Sequence, residues 1–314
     1  DMHNTQESRA ATVGILGAGA MGTLFGTRLA RAGIPVTLVD VNAQLLQAIR
    51  EHGVHCETDQ GPLHAGVQAL QAHELTQPPA RWLIFTKAAH TQAALQSIAH
   101  LIGPGTLLLS LQNGIGHIET LHGFADSQQI AVGVTTWPAR LLAPGKVSSL
   151  GSGKIRFMPR TGQVDARFQD FCDDLNRAGL HCEIDPEVET AIWEKLAFNA
   201  AFNGLCGITR QSVDGLASPL GRSLIREVLD EVVAVAAANG IAVDALRIRA
   251  TVEDALNHHV GHQPSLLQDL LAGRPTETDS IHGAVVRAGE RHGIATPMTR
   301  TLHRLISMAQ QRTP

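Results

Sequence analysis

The chain has 314 residues, of which 44% are hydrophobic and 17% charged, with a formal net charge of −4. That length favours two domains over a single core, and the composition excludes a disordered polypeptide. So slight an acidic balance gives no footing for nucleic acid or an anionic membrane as partner, and no apolar run approaches the roughly 18 residues of a spanning helix.

In chain order, DMHNTQESRA lacks the basic and apolar regions of a signal peptide, so residues 1–10 are expected to be a disordered leader outside the fold. TVGILGAGAMG reads as a buried strand from Thr12 to Leu16 that turns through glycines into a helix. IPVTLVD is a second apolar strand ending at Asp40, and RWLIFTK, TLLLSLQNG and IAVGVTT are further apolar runs separated by helix or loop. Continuous apolar strands alternating with helical stretches predict a mainly parallel sheet covered on both faces, a doubly wound Rossmann-like α/β domain. Hairpins are expected from Val54 to Val67 and from Val147 to Phe157, the second turning near Gly-Ser-Gly. A helix around Ala166 to Ala178 and the short strand HCEI close this domain. After Asp185-Pro186 strand-like runs disappear, and SLIREVLDEVVAVAAANG has helical periodicity with a stop at Asn239-Gly240. The expected division is a dinucleotide-binding domain over 11–186 and an all-helical domain over 187–314. Cys56, Cys172, Cys182 and Cys206 are scattered without a CxxC, which suits free thiols in a cytoplasmic protein.

Gly17-Ala18-Gly19-Ala20-Met21-Gly22 fits G-x-G-x-x-G in the context that gives the pattern meaning, after a strand and opening a helix. The first glycine permits the turn and the second lets backbone approach a pyrophosphate. The third lets helix and strand pack closely, with the helix N-terminus facing the phosphate charge. Asp40 ends the next strand, where a carboxylate can accept from adenosine ribose hydroxyls and repel a 2′-phosphate. The following Val41-Asn42 offers no cation, so this reading leans toward NAD over NADP. The lesser alternative is that Asp40 caps the helix that starts near Asn42. Lys87 and Asn113 each follow an apolar strand, on the edge where such sheets bind ligands, although a solvated lysine and an ordinary Asn-Gly turn fit the same residues.

AIWEKLAFNAAFN, from Ala191 to Asn203, has the texture of a buried helix, yet Lys195, Asn199 and Asn203 recur at steps of four. Four residues advance a helix by about 40° past a full turn, so the three form a polar seam flanked by Ile192, Leu196, Phe198 and Phe202. Burying such groups costs several kcal/mol unless partners are supplied. Beside a nicotinamide site the seam acquires a purpose: an ammonium can stabilise and protonate the oxygen of a ketone being reduced, and amides can hold a carboxylate or hydroxyl. A buried lysine paired with a carboxylate is the plainer alternative.

With GILGAGAMG, TKAAH, LQNGIG, GVTTWPAR, IWEKLAFNAAFN, PSLLQDLLAGRPTETD and HGIATP in that order, the chain resembles the ketopantoate reductase (2-dehydropantoate 2-reductase) family over nearly all its length. The resemblance implies reduction of ketopantoate to pantoate by NAD(P)H, in pantothenate and coenzyme A synthesis, with the substrate held between the domains. It implies that Lys195 is the catalytic lysine, with Glu277 binding the substrate hydroxyl and assisting it. Asn199, Asn203 and Ser265 then contact substrate, Asn113 lies near nicotinamide and lysine, and Lys87 stands at the cofactor. Residues alone would read Glu277 as a first-turn carboxylate answering a helix dipole.

Two departures stand out. The family commonly uses NADPH and carries a basic residue where this chain has Asp40-Val41-Asn42, and it often has asparagine where this chain has His262. A different 2-oxo acid or an opine-like substrate on the same two-domain plan therefore stays open, as does a nicotinamide-binding regulator without turnover. A homodimer is one assembly left open. His258, His259 and His262 lack a cysteine or carboxylate partner and are read as solvent-facing, so no metal is assigned.

Overall fold

The computed structural model describes residues 11–311; the leader expected over 1–10 lies outside the described residues. Two compact units emerge: one takes the described residues up to Gln112 with Ile118–Val188, the other Asn113–His117 with the described residues from Glu189 onward.

The strands of the first unit are β1 (Val13–Leu16), β2 (Val36–Val39), β3 (Val54–Thr58), β4 (Gly61–Ala65), β5 (Gln68–Leu70), β6 (Arg81–Ile84), β7 (Leu107–Ser110), β8 (Ile130–Thr135), β9 (Arg140–Ala143), β10 (Lys146–Ser148), β11 (Ile155–Pro159) and β12 (Cys182–Ile184). Its helices are α1 (Ala20–Arg31), α2 (Ala43–His52), α3 (Thr91–Ile98), α4 (Ile118–His122) and α5 (Ala166–Arg177). Eight strands form one sheet in the order β12-β11-β8-β7-β6-β1-β2-β5. Neighbours run parallel throughout except at β8–β11, so the expected mainly parallel α/β sheet is present. β1, β2, β6, β7 and β8 are buried at every residue, which is why they read as unbroken apolar runs.

The hairpin expected near residue 54 exists, with β3 and β4 antiparallel. The one expected from Val147 to Phe157 does not. β10 pairs with β9 and β3 in a second, four-stranded sheet, whereas β11 pairs with β8 and β12 in the large one. The turn that closes a hairpin here is Pro144-Gly145, between β9 and β10, with Gly145 at φ 72°. Beyond Gly151 and Gly153 the chain changes sheets, because Phe157 packs where Gly133 of β8 has no side chain: a Cβ there would lie 2.7 Å from that of Phe157.

The second unit is helical, with no strand among the described residues: α6 (Val188–Thr209), α7 (Pro219–Ala238), α8 (Ala245–His258), α9 (Ser265–Leu271), α10 (Ala284–Arg291) and α11 (Pro297–Gln310). A π-helical turn, Asp279–Gly283, leads into α10. α7 starts as its sequence dictates, with the Ser218 hydroxyl accepting from Gly221 N at 3.0 Å and Pro219 at the first helical position. α11 lacks a side-chain cap of its own, and Glu231 of α7 supplies one by accepting from Met298 N (2.7 Å) and Thr299 N (2.8 Å). Phe202 and Leu205 of α6 enter a core shared with Val228 and Val232 of α7 and Ile306 of α11. No helix among the described residues is long and apolar enough to cross a membrane.

Candidate active site and cofactor cleft

In the first unit, β1 ends at Leu16 and the chain turns through Gly17 at φ 102°. A Cβ on Gly17 would sit 2.9 Å from the backbone of Phe85 and Thr86, and one on Gly22 would sit 2.0 Å from the carbonyl oxygen of Gly17. Both positions require glycine, for the close approach of strand ends and of helix to turn. Gly19 is different: nothing lies within 4 Å of where its Cβ would be. It caps α1 with no side-chain hydrogen bond, and the first turn of the helix holds no acidic residue.

Asp40 answers the choice that its sequence position left open. Asn42 caps α2, its Oδ1 accepting from Gln44 N and Leu45 N at 3.1 Å each. Asp40 instead accepts from Ala18 N through Oδ2 and from Asn42 N through Oδ1, both at 2.9 Å. The carboxylate thus fastens the end of β2 to the glycine turn. A cavity of about 590 Å³, within the range of small-molecule sites, is lined by Gly17, Gly19, Asp40, Phe85 and Lys87 among others. Four of the residues singled out in the sequence therefore share one cleft. Ala18, Ala20, Met21 and Gly22 belong to the turn and helix behind it and do not line it.

Sequence reasoning missed the residue that holds the Lys87 segment. Gln112 is buried; its Nε2 donates to Thr86 O (2.7 Å) and Thr91 Oγ1 (2.8 Å), while Oε1 accepts from Ser110 Oγ at 2.9 Å. It pins the end of β6 to the end of β7 and the start of α3. A polar residue closing an apolar strand was the available signal.

In the second unit, α6 exposes only part of its girth. Glu194, Lys195, Phe198 and Asn199 are half-buried, while Asn203, one turn on, is 5% exposed. Burial presses the Lys195 ammonium down from its usual range to about 8, and the Glu277 carboxylate pulls against that fall. Asn113 donates from Nδ2 to Glu277 Oε2 at 3.3 Å. Lys195, Glu277 and Asn113 thus form one cluster within a single unit, with Lys195 contributed by the helix that also carries Asn199 and Asn203. Gly114 makes the approach of the Asn113 loop feasible: at φ 77°, its Cβ would fall 2.3 Å from the Ser280 carbonyl of the π-helical turn. Ser265 stands exposed at the first position of α9 and makes none of these contacts. His258, His259 and His262 are exposed, and His258 Nδ1 lies 2.9 Å from Asp254 Oδ1.

A mainly parallel sheet with a glycine turn and an acidic residue at the end of its second strand, together with a helical unit carrying a depressed lysine beside a carboxylate, is the plan of a nicotinamide-dependent oxidoreductase. Residues 13–162 match the family described as "Ketopantoate reductase PanE/ApbA", and residues 187–310 match "Ketopantoate reductase PanE/ApbA C terminal". The chain belongs to the ketopantoate reductase family.

Among its relatives, the 2-dehydropantoate 2-reductase of Lactococcus lactis subsp. lactis (strain IL1403) is 32% identical over 303 residues, covering 95% of this chain and 97% of that protein. A structure of D-mandelate dehydrogenase with NADH and anilino(oxo)acetate superposes with a TM-score of 0.91 at 32% identity, covering 96% of this chain and 98% of the other. A 2-dehydropantoate 2-reductase structure from Geobacter metallireducens GS-15 gives a TM-score of 0.89 at 30% identity, covering 95% and 99%.

Proposed function

We propose that this chain reduces 2-dehydropantoate to pantoate, with residues 11–186 holding the cofactor and residues 187–314 providing substrate binding and the acid. The observation that carries the reading is Lys195, whose ammonium titrates near 8 beside Glu277. A group at that value is largely protonated at neutral pH yet gives up its proton readily, which is what a general acid needs. When bound, a reduced nicotinamide supplies hydride to the 2-oxo carbon. Lys195 then protonates the carbonyl oxygen, and Glu277 accepts from the hydroxyl that forms. Asn113 orients Glu277 through the hydrogen bond it donates. Asn199, Asn203 and Ser265 hold the substrate by hydrogen bonding.

The cleft residues fit a dinucleotide. Gly19 leaves open backbone at the uncapped start of α1 for a pyrophosphate, Lys87 adds positive charge in the same cleft, and Asp40 stands ready for ribose hydroxyls. The fixed Asp40 carboxylate, followed by Val41 at 84% exposure and by the capping Asn42, supports NADH over NADPH.

A second reading is reduction of another 2-oxo acid with NADH. It is favoured by the same Asp40 geometry and by the likeness to D-mandelate dehydrogenase solved with NADH. The deciding experiment is initial rate with ketopantoate and with aryl 2-oxo acids, using NADH and NADPH side by side. The highest kcat/KM on ketopantoate supports the first reading, a clear preference for an aryl 2-oxo acid replaces it, and no turnover of either class removes both.

A further inference from the structure

His282 is fully buried in the π-helical turn and both of its ring nitrogens are engaged. Nε2 lies 2.9 Å from the carbonyl oxygen of Ala200 on α6, and Nδ1 lies 3.1 Å from Thr278 Oγ1. A carbonyl only accepts, so the ring proton is on Nε2, and Nδ1 must accept from the Thr278 hydroxyl. Burial holds the ring well below its ordinary range, at about 4, so it is neutral across the working range.

The two partners give this ring its significance. Thr278 directly follows Glu277, and Ala200 directly follows Asn199. One imidazole therefore spans from the turn that presents the carboxylate to the middle of the helix that presents Lys195, Asn199 and Asn203. The seat is cut to fit: a Cβ on Gly204 would come within 2.7 Å of His282 Nε2 and 2.9 Å of Leu302 Cδ1. The turn itself is π-helical, an irregularity that redirects backbone groups and recurs at functional sites. Here it leaves the Ser280 carbonyl facing Ile115 N at 3.4 Å, beside the Asn113 loop.

We infer that His282 is a positioning residue, a hydrogen-bonded strut fixing the placement of Glu277 relative to Lys195. The inference rests on the reading of Lys195 and Glu277 as the acid pair. The first readout of its test, the Lys195 titration, needs neither substrate nor cofactor. The chain has four lysines, Lys87, Lys146, Lys154 and Lys195, so selective 13Cε-lysine labelling resolves each titration by NMR, with Lys195 assigned from its own substitution.

Three variants separate strut from filler: His282→Leu removes both hydrogen bonds, Thr278→Val removes one with little change of shape, and His282→Gln keeps a donor for Ala200. The expected result is a Lys195 titration that falls by more than about 0.3 pH in Thr278→Val and His282→Leu, because the Glu277 charge no longer sits where it raises the ammonium. His282→Gln recovers most of that fall. kcat drops about tenfold in the two lossy variants with KM for NADH unchanged. If His282→Leu fails to fold, Thr278→Val and His282→Gln decide alone. Lys195 titrations and kcat values in Thr278→Val that coincide with the parent overturn the inference. A parent that turns over no 2-oxo acid, while the Lys195 titration still responds to Thr278→Val, overturns the functional reading and leaves the strut intact.

Discussion

Asn113 and Glu277 lie 164 positions apart in the chain and meet through a hydrogen bond of 3.3 Å, donated by the Asn113 amide to a Glu277 carboxylate oxygen. The loop bearing Asn113 emerges from the end of β7, yet Asn113–His117 packs with the helical unit. The amide leaves the carboxylate charged and directional, the state in which it best supports the ammonium of Lys195.

Asn113→Ala removes that donor. A hydrogen bond to a charged group contributes about 1.5–3 kcal/mol, so kcat/KM for the keto acid is expected to fall by at least about tenfold. Steady-state rates against keto acid concentration check this, and an unchanged kcat/KM ends the role given to Asn113.

Lys195→Ala is expected to lower kcat by about two to four decades, the usual worth of a positioned proton donor. NADH affinity, measured by fluorescence titration, should hold, because Gly17, Gly19, Asp40 and Lys87 line a cleft in the other unit.

The pH profile follows from the same residue. Reduction requires the ammonium form, so kcat/KM is expected to be level below about pH 8 and to fall above it. Glu277 raises the Lys195 value against burial, so Glu277→Gln should move that alkaline limb to lower pH. A limb that stays in place or moves up would show that Glu277 does not act on Lys195.

Asp40→Asn keeps the shape of the side chain and removes its charge. The ratio of kcat/KM for NADH to that for NADPH should fall by about tenfold, equivalent to roughly 1.4 kcal/mol. An unchanged ratio would make Asp40 a structural fastener of the glycine turn, with discrimination vested elsewhere.

Acid stability should be governed in part by two buried imidazoles. His117 and His282 are both held down to about 4 by burial, against an ordinary value of 6.5. Between those values the unfolded chain binds more protons than the native one. The stabilisation is therefore complete above about 6.5 and lost as pH falls toward 4, by up to about 3 kcal/mol for each ring. Urea midpoints between pH 7 and 4.5 measure this, and in His282→Gln the decline should be shallower. Equal slopes in both proteins would mean that His282 does not carry this share.

The elements were legible where local chemistry decides them. Buried parallel strands read as apolar runs because both faces are covered, and the stop of α7 at Asn239-Gly240 follows from a glycine at φ 77°. Pairing was less legible. The Val147 to Phe157 hairpin was drawn from nearness in sequence, whereas the actual partners of β10 and β11 are chosen by complementarity at a distance, such as Phe157 over Gly133. Lys195, Asn199 and Asn203 showed themselves by spacing on one helix. Glu277 showed itself only by family resemblance, since a first-turn carboxylate is ordinary. Gln112 gave only the faint sign of a polar residue closing an apolar strand and His282 gave none, because each acts through hydrogen bonds to groups remote in sequence.

By itself the sequence determined the class of sheet, the glycine turn and the polar seam of α6, because periodicity and backbone permissiveness are properties of neighbours along the chain. Only the tertiary structure decided that Asp40 ties Ala18 while Asn42 caps the helix. It also decided that Asn113 joins the helical unit and that His282 bridges Thr278 and Ala200. Those outcomes depend on which buried donor finds which acceptor once the chain is packed. A buried polar group left without a partner costs about 1–3 kcal/mol, enough to select one arrangement among several that the local sequence permits.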